Sequence, residues 1–156
     1  MHLREAVPGD AHRIHAVFVA AIRHLAADAY SPLERAAWAA ARSEDAFRES
    51  LSGRQEWTLV AEEGGRLVGF GSLLGREIQM LYVHPDAAGK GVGSALLAAL
   101  EKQATALGHH RLRLRASLNA EAFYASRGYT AVERGVRRLD GGISLGYVWM
   151  EKTVHA

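Results

Sequence analysis

At 156 residues, with 49% hydrophobic and 23% charged positions, the sequence has the size and balance of one globular domain able to bury a proper core. Its formal charge of +2 is too small to argue nucleic-acid binding, and the absence of cysteine excludes disulfides, thiolate metal sites and a cysteine nucleophile. No apolar run approaches the length of a membrane span and the N-terminus carries no signal-peptide pattern, so a cytoplasmic protein is expected. Residues 2–7 alternate and predict a first strand. Pro8-Gly9-Asp10 then turns the chain into a helix with Ile14, Phe18, Ala21, Ile22 and Leu25 on one face. The pattern breaks at Tyr30-Ser31-Pro32, where Ser31 is a good N-cap and Pro32 a good first residue for a second helix reaching about Ala41. Ser43 caps a third, short helix ending near Leu51. Residues 56–62 and 66–74 form two strands joined at Glu63-Gly64-Gly65, a β-hairpin. A fourth strand covers residues 76–83 and stops where Pro85 forces His84 out of the helical region.

Next comes Ala88-Gly89-Lys90-Gly91-Val92-Gly93, followed by a helix from about Gly91 with Val92, Leu96, Leu100 and Leu107 on its apolar side. Three glycines let the backbone turn tightly and approach a ligand, and the free N–H groups of the helix's first turn favour an anion. Each charge–dipole contact contributes about 0.3–1 kcal/mol, so several amides together with Lys90 are needed to hold a pyrophosphate. A Walker A loop fails because Gly89-Lys90 is followed by Gly91 rather than Ser or Thr. A dinucleotide fingerprint fails because Ser94 takes the third glycine position and the next strand ends at Arg115-Ala116-Ser117 without an acid for a ribose. A glycine-rich turn without a ligand is the alternative. Residues 110–116 alternate strictly and form strand five; Asn119 caps a helix through Arg127, and Gly128 ends it in the left-handed conformation. Residues 129–138 and 143–153 pair as a closing hairpin around Asp140-Gly141-Gly142. The order β-α-α-α-β-β-β-α-β-α-β-β predicts an α/β fold, a mixed sheet with helices on both faces. Of eight histidines, His12 and His15 share a helix and His109 and His110 are adjacent, but no carboxylate completes a metal set, so no metal is expected.

Entered through Leu81-Tyr82-Val83-His84-Pro85-Asp86, the glycine loop resembles the pyrophosphate loop of the GNAT superfamily of acyl-CoA-dependent N-acyltransferases. There, strand four leads through a Pro-Asp turn into Q/R-x-x-G-x-G/A; Ala88 stands at the Gln/Arg position, a small departure where main-chain N–H groups make the contacts. Asn119-Ala120-Glu121-Ala122-Phe123-Tyr124-Ala125-Ser126-Arg127-Gly128-Tyr129 is similar to the family's N-x-x-A-x-x-F-Y-x-x-x-G-F/Y, with one residue fewer before the Phe-Tyr pair. Two motifs in the right order across one crossover are far more specific than either alone. The resemblance runs over nearly the full length. It implies a single domain over residues 1–156, with a mostly antiparallel seven-stranded sheet splayed between strands four and five.

It further implies acetyl-CoA as co-substrate, its pantetheine pairing with the main chain of Leu81, Tyr82 and Val83 and its diphosphate lying on Ala88, Gly89, Lys90, Gly91, Val92, Gly93 and Ser94. An exposed strand edge is suited to such pairing, because it offers free N–H and C=O groups. A main-chain N–H near Tyr82 or Val83 would meet the oxyanion. Tyr124 would protonate the leaving thiolate, or else packs its helix on strand five. Asn119 is a cap, or a cap that also bonds the pantetheine; Arg127 or Lys90 reaches the ribose phosphate, or is a solvated cation. Relatives of this pattern read Ile-Asp before Leu-Tyr-Val-His-Pro, but here Ile78 precedes Gln79, which cannot be a base. Glu77, on the same face by alternation, is the remaining strand-four candidate, and water alone is the other.

For the acceptor, Tyr30 and Trp38 either wall the pocket or pack the helix pair; the segment from Tyr30 to Trp38 resembles one in a subgroup of bacterial GNAT proteins. Arg111, Arg113 and Arg115 share one face of strand five, a dense run of charge for a central strand. Arg115 is expected to border the acceptor cleft and favour an acidic or carboxylate-bearing amine; a solvated, ion-paired face would explain the arginines equally well. The function implied is an N-acetyltransferase acting on a primary amine of a small molecule or peptide, with no membrane or nucleic-acid partner. Two rivals are a non-catalytic acyl-CoA-binding regulatory module, motivated by Gln79, and a toxin-like GNAT acting on aminoacyl-tRNA, which the arginine strand favours and the modest charge opposes. Val148-Trp149-Met150 gives the closing hairpin the character of either a homodimer edge or a packed core strand.

Overall fold

The computed structural model describes residues 1–155. Its strands are β1 (His2–Glu5), β2 (Trp57–Glu63), β3 (Arg66–Leu74), β4 (Glu77–Val83), β5 (Arg111–Ser117), β6 (Thr130–Arg138) and β7 (Ser144–Thr153), joined in one sheet of order β1-β2-β3-β4-β5-β7-β6. The helices are α1 (Ala11–Leu25), α2 (Pro32–Ala40), α3 (Glu44–Gly53), α4 (Val92–Ala106) and α5 (Glu121–Ala125). Neighbouring strands run antiparallel except β4 and β5, which are parallel and pair only at Glu77↔Arg113 and Ile78↔Leu114. Beyond Ile78 the two strands part.

A β-bulge marks the parting point. Ser72 pairs with Met80 and Leu73 with Ile78, which leaves Gln79 as the extra residue of β4; a bulge bends its strand and re-aims the side chains after it. Accordingly Ile78, Leu81 and Val83 pack toward α4, while Met80 and Tyr82 pack toward α1. The bulge also switches the main chain. Arg76 offers its carbonyl to Arg113 of β5, but further on His84 donates its N–H to Val68 of β3 at 2.8 Å. Alternation from His84 turns the main-chain groups of Tyr82 toward β3 and those of Leu81 and Val83 toward the opening.

Each face of the sheet carries a core. One lies under α4, with Leu96, Leu97 and Leu100 against Leu73, Leu112, Leu114, Val148 and Met150. The other lies under α1 to α3, with Ile14, Phe18, Ile22, Trp38 and Phe47 against Val60, Phe70 and Leu145. The interior strand β3 is accordingly buried on both faces from Leu67 to Leu73. Mid-strand glycines let α4 settle on it: a Cβ at Gly69 would lie 2.9 Å from Val92 Cγ1, and one at Gly71 2.9 Å from Leu100 Cδ1. That close approach sets where the first turn of α4 sits.

The caps expected at Ser31 and Ser43 form, with Ser31 and Glu34 closing a reciprocal capping box. The expected cap at Asn119 does not. α5 is little more than one turn, preceded by Ala120 without a side-chain cap, and Asn119 makes no side-chain hydrogen bond among the described residues. The helix starts one residue later: Ala120 N–H closes a turn on Ser117 O at 3.0 Å and Ala120 itself becomes the N-cap, while Leu118 N–H donates to the Tyr30 hydroxyl at 2.9 Å. Gly128, at φ +91°, ends the segment as expected, with Gly128 N–H on Ala125 and Tyr129 N–H on Tyr124. The strand carrying Val148, Trp149 and Met150 is flanked on both sides, by β5 and β6, so it presents no edge; β6 is the edge strand. Among the described residues, no helix is long and apolar enough to cross a membrane.

Candidate active site

Where β4 and β5 diverge, two cavities meet. One, about 300 Å³, is lined by Ile22 and Leu25 of α1, Ala26 just after it, Val83, Gly93, Asn119 and Phe123, a largely aliphatic and aromatic wall. The other, about 140 Å³, is lined by Tyr30, Gln79, Met80, Arg115, Arg137 and Tyr147, among others. Trp38, Leu81, Tyr82, Ser117, Ala120 and Tyr124 border both. The opening therefore continues from one side of the sheet's split to the other, with Tyr124 at the junction.

Local packing fixes Tyr124. Its ring stands edge-on to Phe123 at 5.2 Å and to Tyr129 at 5.6 Å, and the glycine turn at Gly128 closes onto its carbonyl. It is only 6% exposed, and its hydroxyl has no hydrogen-bond partner among the described residues. Burial, with the nearby Tyr82 adding to it, pushes that hydroxyl far above an ordinary phenol, so it carries its proton at neutral pH. Burial likewise pushes Tyr82 up to about 12, with Trp38, Arg137 and Arg42 pulling the other way. Tyr124 is thus an unengaged donor.

At the far end of the larger cavity lies the start of α4. Gly89 and Gly91 adopt φ +73° and +83°, a region closed to most side chains, and Gly91 leaves the helix without a side-chain cap. The N–H groups of Val92, Gly93 and Ser94 precede the first intrahelical bond, Ala95 N–H to Gly91 O at 3.0 Å. Ala88, Gly89, Lys90 and Gly91 are exposed beside them. Gly93 links the loop to the cavity, lining it and facing the Phe123 ring and Val83. Arg127 lies 3.9 Å above the Phe123 ring and donates from Nε to Ser94 Oγ at 3.1 Å, bringing a cation to the same turn.

Tyr30, Trp38 and Arg115 all line the smaller cavity. The Tyr30 hydroxyl is fully committed, accepting from Leu118 N–H and donating to Gly146 O at 2.6 Å. Glu77 borders neither cavity: it accepts from Arg113 Nε at 3.1 Å and from the Gln79 amide. Arg113 lies over the Trp149 ring, and Arg111 pairs with Glu151. Among the described residues, no carboxylate lines the smaller cavity. Arg137 and Tyr147 enter it without having been singled out in the sequence; pairing β6 with β7 in register brings Arg137 opposite Leu145, a wall residue. The α1 residues of the larger cavity were legible only as one end of an apolar stripe.

The profile of the family described as "Acetyltransferase (GNAT) domain" matches residues 26–154. The chain belongs to the GNAT acetyltransferases. This acetyltransferase is 34% identical over 134 residues to the Escherichia coli K12 protein called the uncharacterized N-acetyltransferase YafP, covering 86% of this chain and 84% of that one. It superimposes with a TM-score of 0.92, at 45% identity over 98% of its own length and 95% of the other's, on a GCN5-related N-acetyltransferase from Rhodopseudomonas palustris. The PaiA N-acetyltransferase of Thermoplasma acidophilum, solved with coenzyme A, shares the fold at a TM-score of 0.75 and 22% identity, over 97% and 98% of the two chains. So does yncA of Salmonella typhimurium, solved with its cofactor acetyl-CoA, at 0.74 and 23%, over 100% and 95%. The divided sheet and the glycine turn into α4 are therefore the family's architecture.

Proposed function

We propose that this enzyme moves the acetyl group of acetyl-CoA to a primary amine of a small molecule or peptide, the amine attacking the thioester directly and Tyr124 protonating the departing thiolate. The observation that carries the reading is the unengaged, protonated phenol of Tyr124 at the meeting point of two cavities. The donor set suits the coenzyme. Uncapped amides at Val92, Gly93 and Ser94, with Lys90 and Arg127 nearby, offer a diphosphate both hydrogen bonds and charge. Leu81 and Val83 offer free main-chain groups to an amide-bearing arm lying in the aliphatic cavity. PaiA and yncA, holding coenzyme A and acetyl-CoA on the same fold, support this assignment.

When bound, acetyl-CoA supplies an activated acyl group on a sulfur leaving group. The Val83 N–H is the main-chain donor available to the thioester oxygen, since that of Tyr82 is turned to β3. As the N–C bond forms and the C–S bond breaks, the amine's proton leaves to water and the Tyr124 proton goes to sulfur, after which solvent reprotonates the phenol. Glu77 is already occupied by Arg113 and takes no part. Thiol release from acetyl-CoA, followed across a panel of primary amines, tests the reading. Tyr124→Phe should lower kcat on the order of a hundredfold while the melting temperature holds; an undiminished kcat would remove Tyr124 from the role.

A further inference from the structure

Building on that acetyl-transfer reading, we propose that the acceptor is a small primary amine carrying a carboxylate, which Arg115 of β5 and Arg137 of β6 hold at the mouth of the smaller cavity. The first observation is the cavity's charge. Among the described residues, two guanidinium groups line it, and no aspartate, glutamate or lysine does. Its other polar groups are neutral, and the most prominent, the Tyr30 hydroxyl, is spent on Leu118 and Gly146.

The second observation separates these two arginines from their neighbours. Three arginines share one face of β5. Arg111 is paired with Glu151 at 2.5 Å and Arg113 with Glu77 at 3.1 Å, whereas Arg115, the one that reaches the cavity, has no carboxylate within 4 Å among the described residues. On β6, Arg134 is paired with Glu121 at 2.8 Å, while Arg137 and Arg138 have no carboxylate within 4 Å among the described residues; of these two, Arg137 lines the cavity. A solvated, ion-paired face would pair its members alike. Here the two that line the cavity are without an acid.

Third, Arg115 is held ready. Its guanidinium carbon lies 5.5 Å from the Tyr147 ring centre and 5.3 Å from that of Trp149, two rings at 88° to one another, so aromatic faces hold the cation in place of an acid, and a guanidinium fork suits two carboxylate oxygens. Arg137 faces the same space from the opposite strand, close enough for its charge to act on the Tyr82 hydroxyl. Like charges would repel a polycationic acceptor, and a carboxylate would be drawn in. At about 140 Å³ the cavity is below the ~300 Å³ typical of drug-sized ligands, so the amine and the carboxylate lie close together on one small molecule.

The test compares glycine, β-alanine and γ-aminobutyrate with their carboxamides and with spermidine, by thiol release from acetyl-CoA and by calorimetric binding to the coenzyme A-loaded protein. At least one acid should exceed its carboxamide in kcat/KM, and in affinity, by on the order of ten- to a hundredfold. Arg115→Gln and Arg137→Gln should each remove most of that preference while melting temperature and coenzyme A affinity stay at wild-type values. Carboxamides or spermidine used as well as the acids would overturn the proposal and leave acetyl transfer standing, as would tRNA binding that falls steeply with salt. Absence of both coenzyme A uptake and thiol release with any amine would instead remove the acetyl-transfer reading, and this proposal with it.

Discussion

At Asp10 one side chain ties together the start of the chain. Its carboxylate, 3% exposed, receives both terminal nitrogens of Arg4 at 2.8 Å, Arg13 at 3.0 Å and the Val7 N–H at 2.8 Å. The Arg4 hydrogen bonds, opposed by burial and helped by the Val7 amide, hold its pKa down at about 2. A folded pKa below the unfolded value near 3.9 means a contribution fully present above about pH 4 and lost as pH falls through 2. The difference corresponds to about 2 kcal/mol. Asp10→Asn should therefore lower stability in urea at pH 7 by about that amount and flatten the acid limb of the stability curve between pH 4 and pH 2. An unaltered acid limb would show that other carboxylates carry it. In the sequence Asp10 was visible only as a turn residue, because two of its partners, Arg4 and Val7, lie on the strand side of the turn and act only once β1 is docked.

The element that sets the site is α4, and what sets α4 is the pair of glycines beneath it. Gly69→Ala would place a methyl 2.9 Å from Val92 Cγ1 and 3.1 Å from the Tyr82 carbonyl, which as backbone cannot step aside. The helix must lift at its first turn, where the uncapped amides lie. We expect a loss of about 1–3 kcal/mol in urea unfolding together with weaker coenzyme A uptake in calorimetry. Gly53→Ala, at the end of α3 with nothing within 4 Å, should cost no stability, since a helical Ala is favoured over Gly, and should leave coenzyme A uptake unchanged; equal behaviour of the two variants would refute the close-packing account. Much of this element was legible in the sequence, since a glycine loop between an apolar strand and an amphipathic helix has a local cause. The bulge at Gln79 was not. No Gly or Pro marks it, and strict alternation put Glu77 on the same face as Gln79 and so forward as the strand-four candidate, whereas only Gln79 reaches the cavity and Glu77 is turned onto Arg113. Nor was the start of α5: a turn from Ser117 to Ala120 makes Ala120 the N-cap in place of Asn119, beside a Leu118 amide held by a hydroxyl 88 positions upstream that no local pattern records.

On the scale of the molecule, the sheet is two half-sheets, β1 to β4 and β5-β7-β6, hinged on two parallel residue pairs and the α4 crossover. Tyr30 adds a further tie, because its hydroxyl bridges Leu118 and Gly146 where the β5–β7 ladder would otherwise have continued from Ser117↔Tyr147. A coenzyme seated in the split, as proposed, would touch both halves: Leu81 and Val83 on one side, Ser117, Ala120 and Tyr124 on the other. That geometry exists only in the folded chain, so binding must add to stability by mass action, about 2.7 kcal/mol at a hundred times Kd. For a chain of this length the melting temperature should rise by roughly 5–10 °C in saturating acetyl-CoA. Hydrogen exchange then locates the effect. Amides of Leu81 and Val83, of the first turn of α4 and of residues 117–120 should all slow together, because a single ligand closes the gap between the halves. Slowing confined to the α4 turn would mean that the diphosphate is held while the pantetheine arm lies outside the split, and Tyr124 would then have no sulfur to protonate.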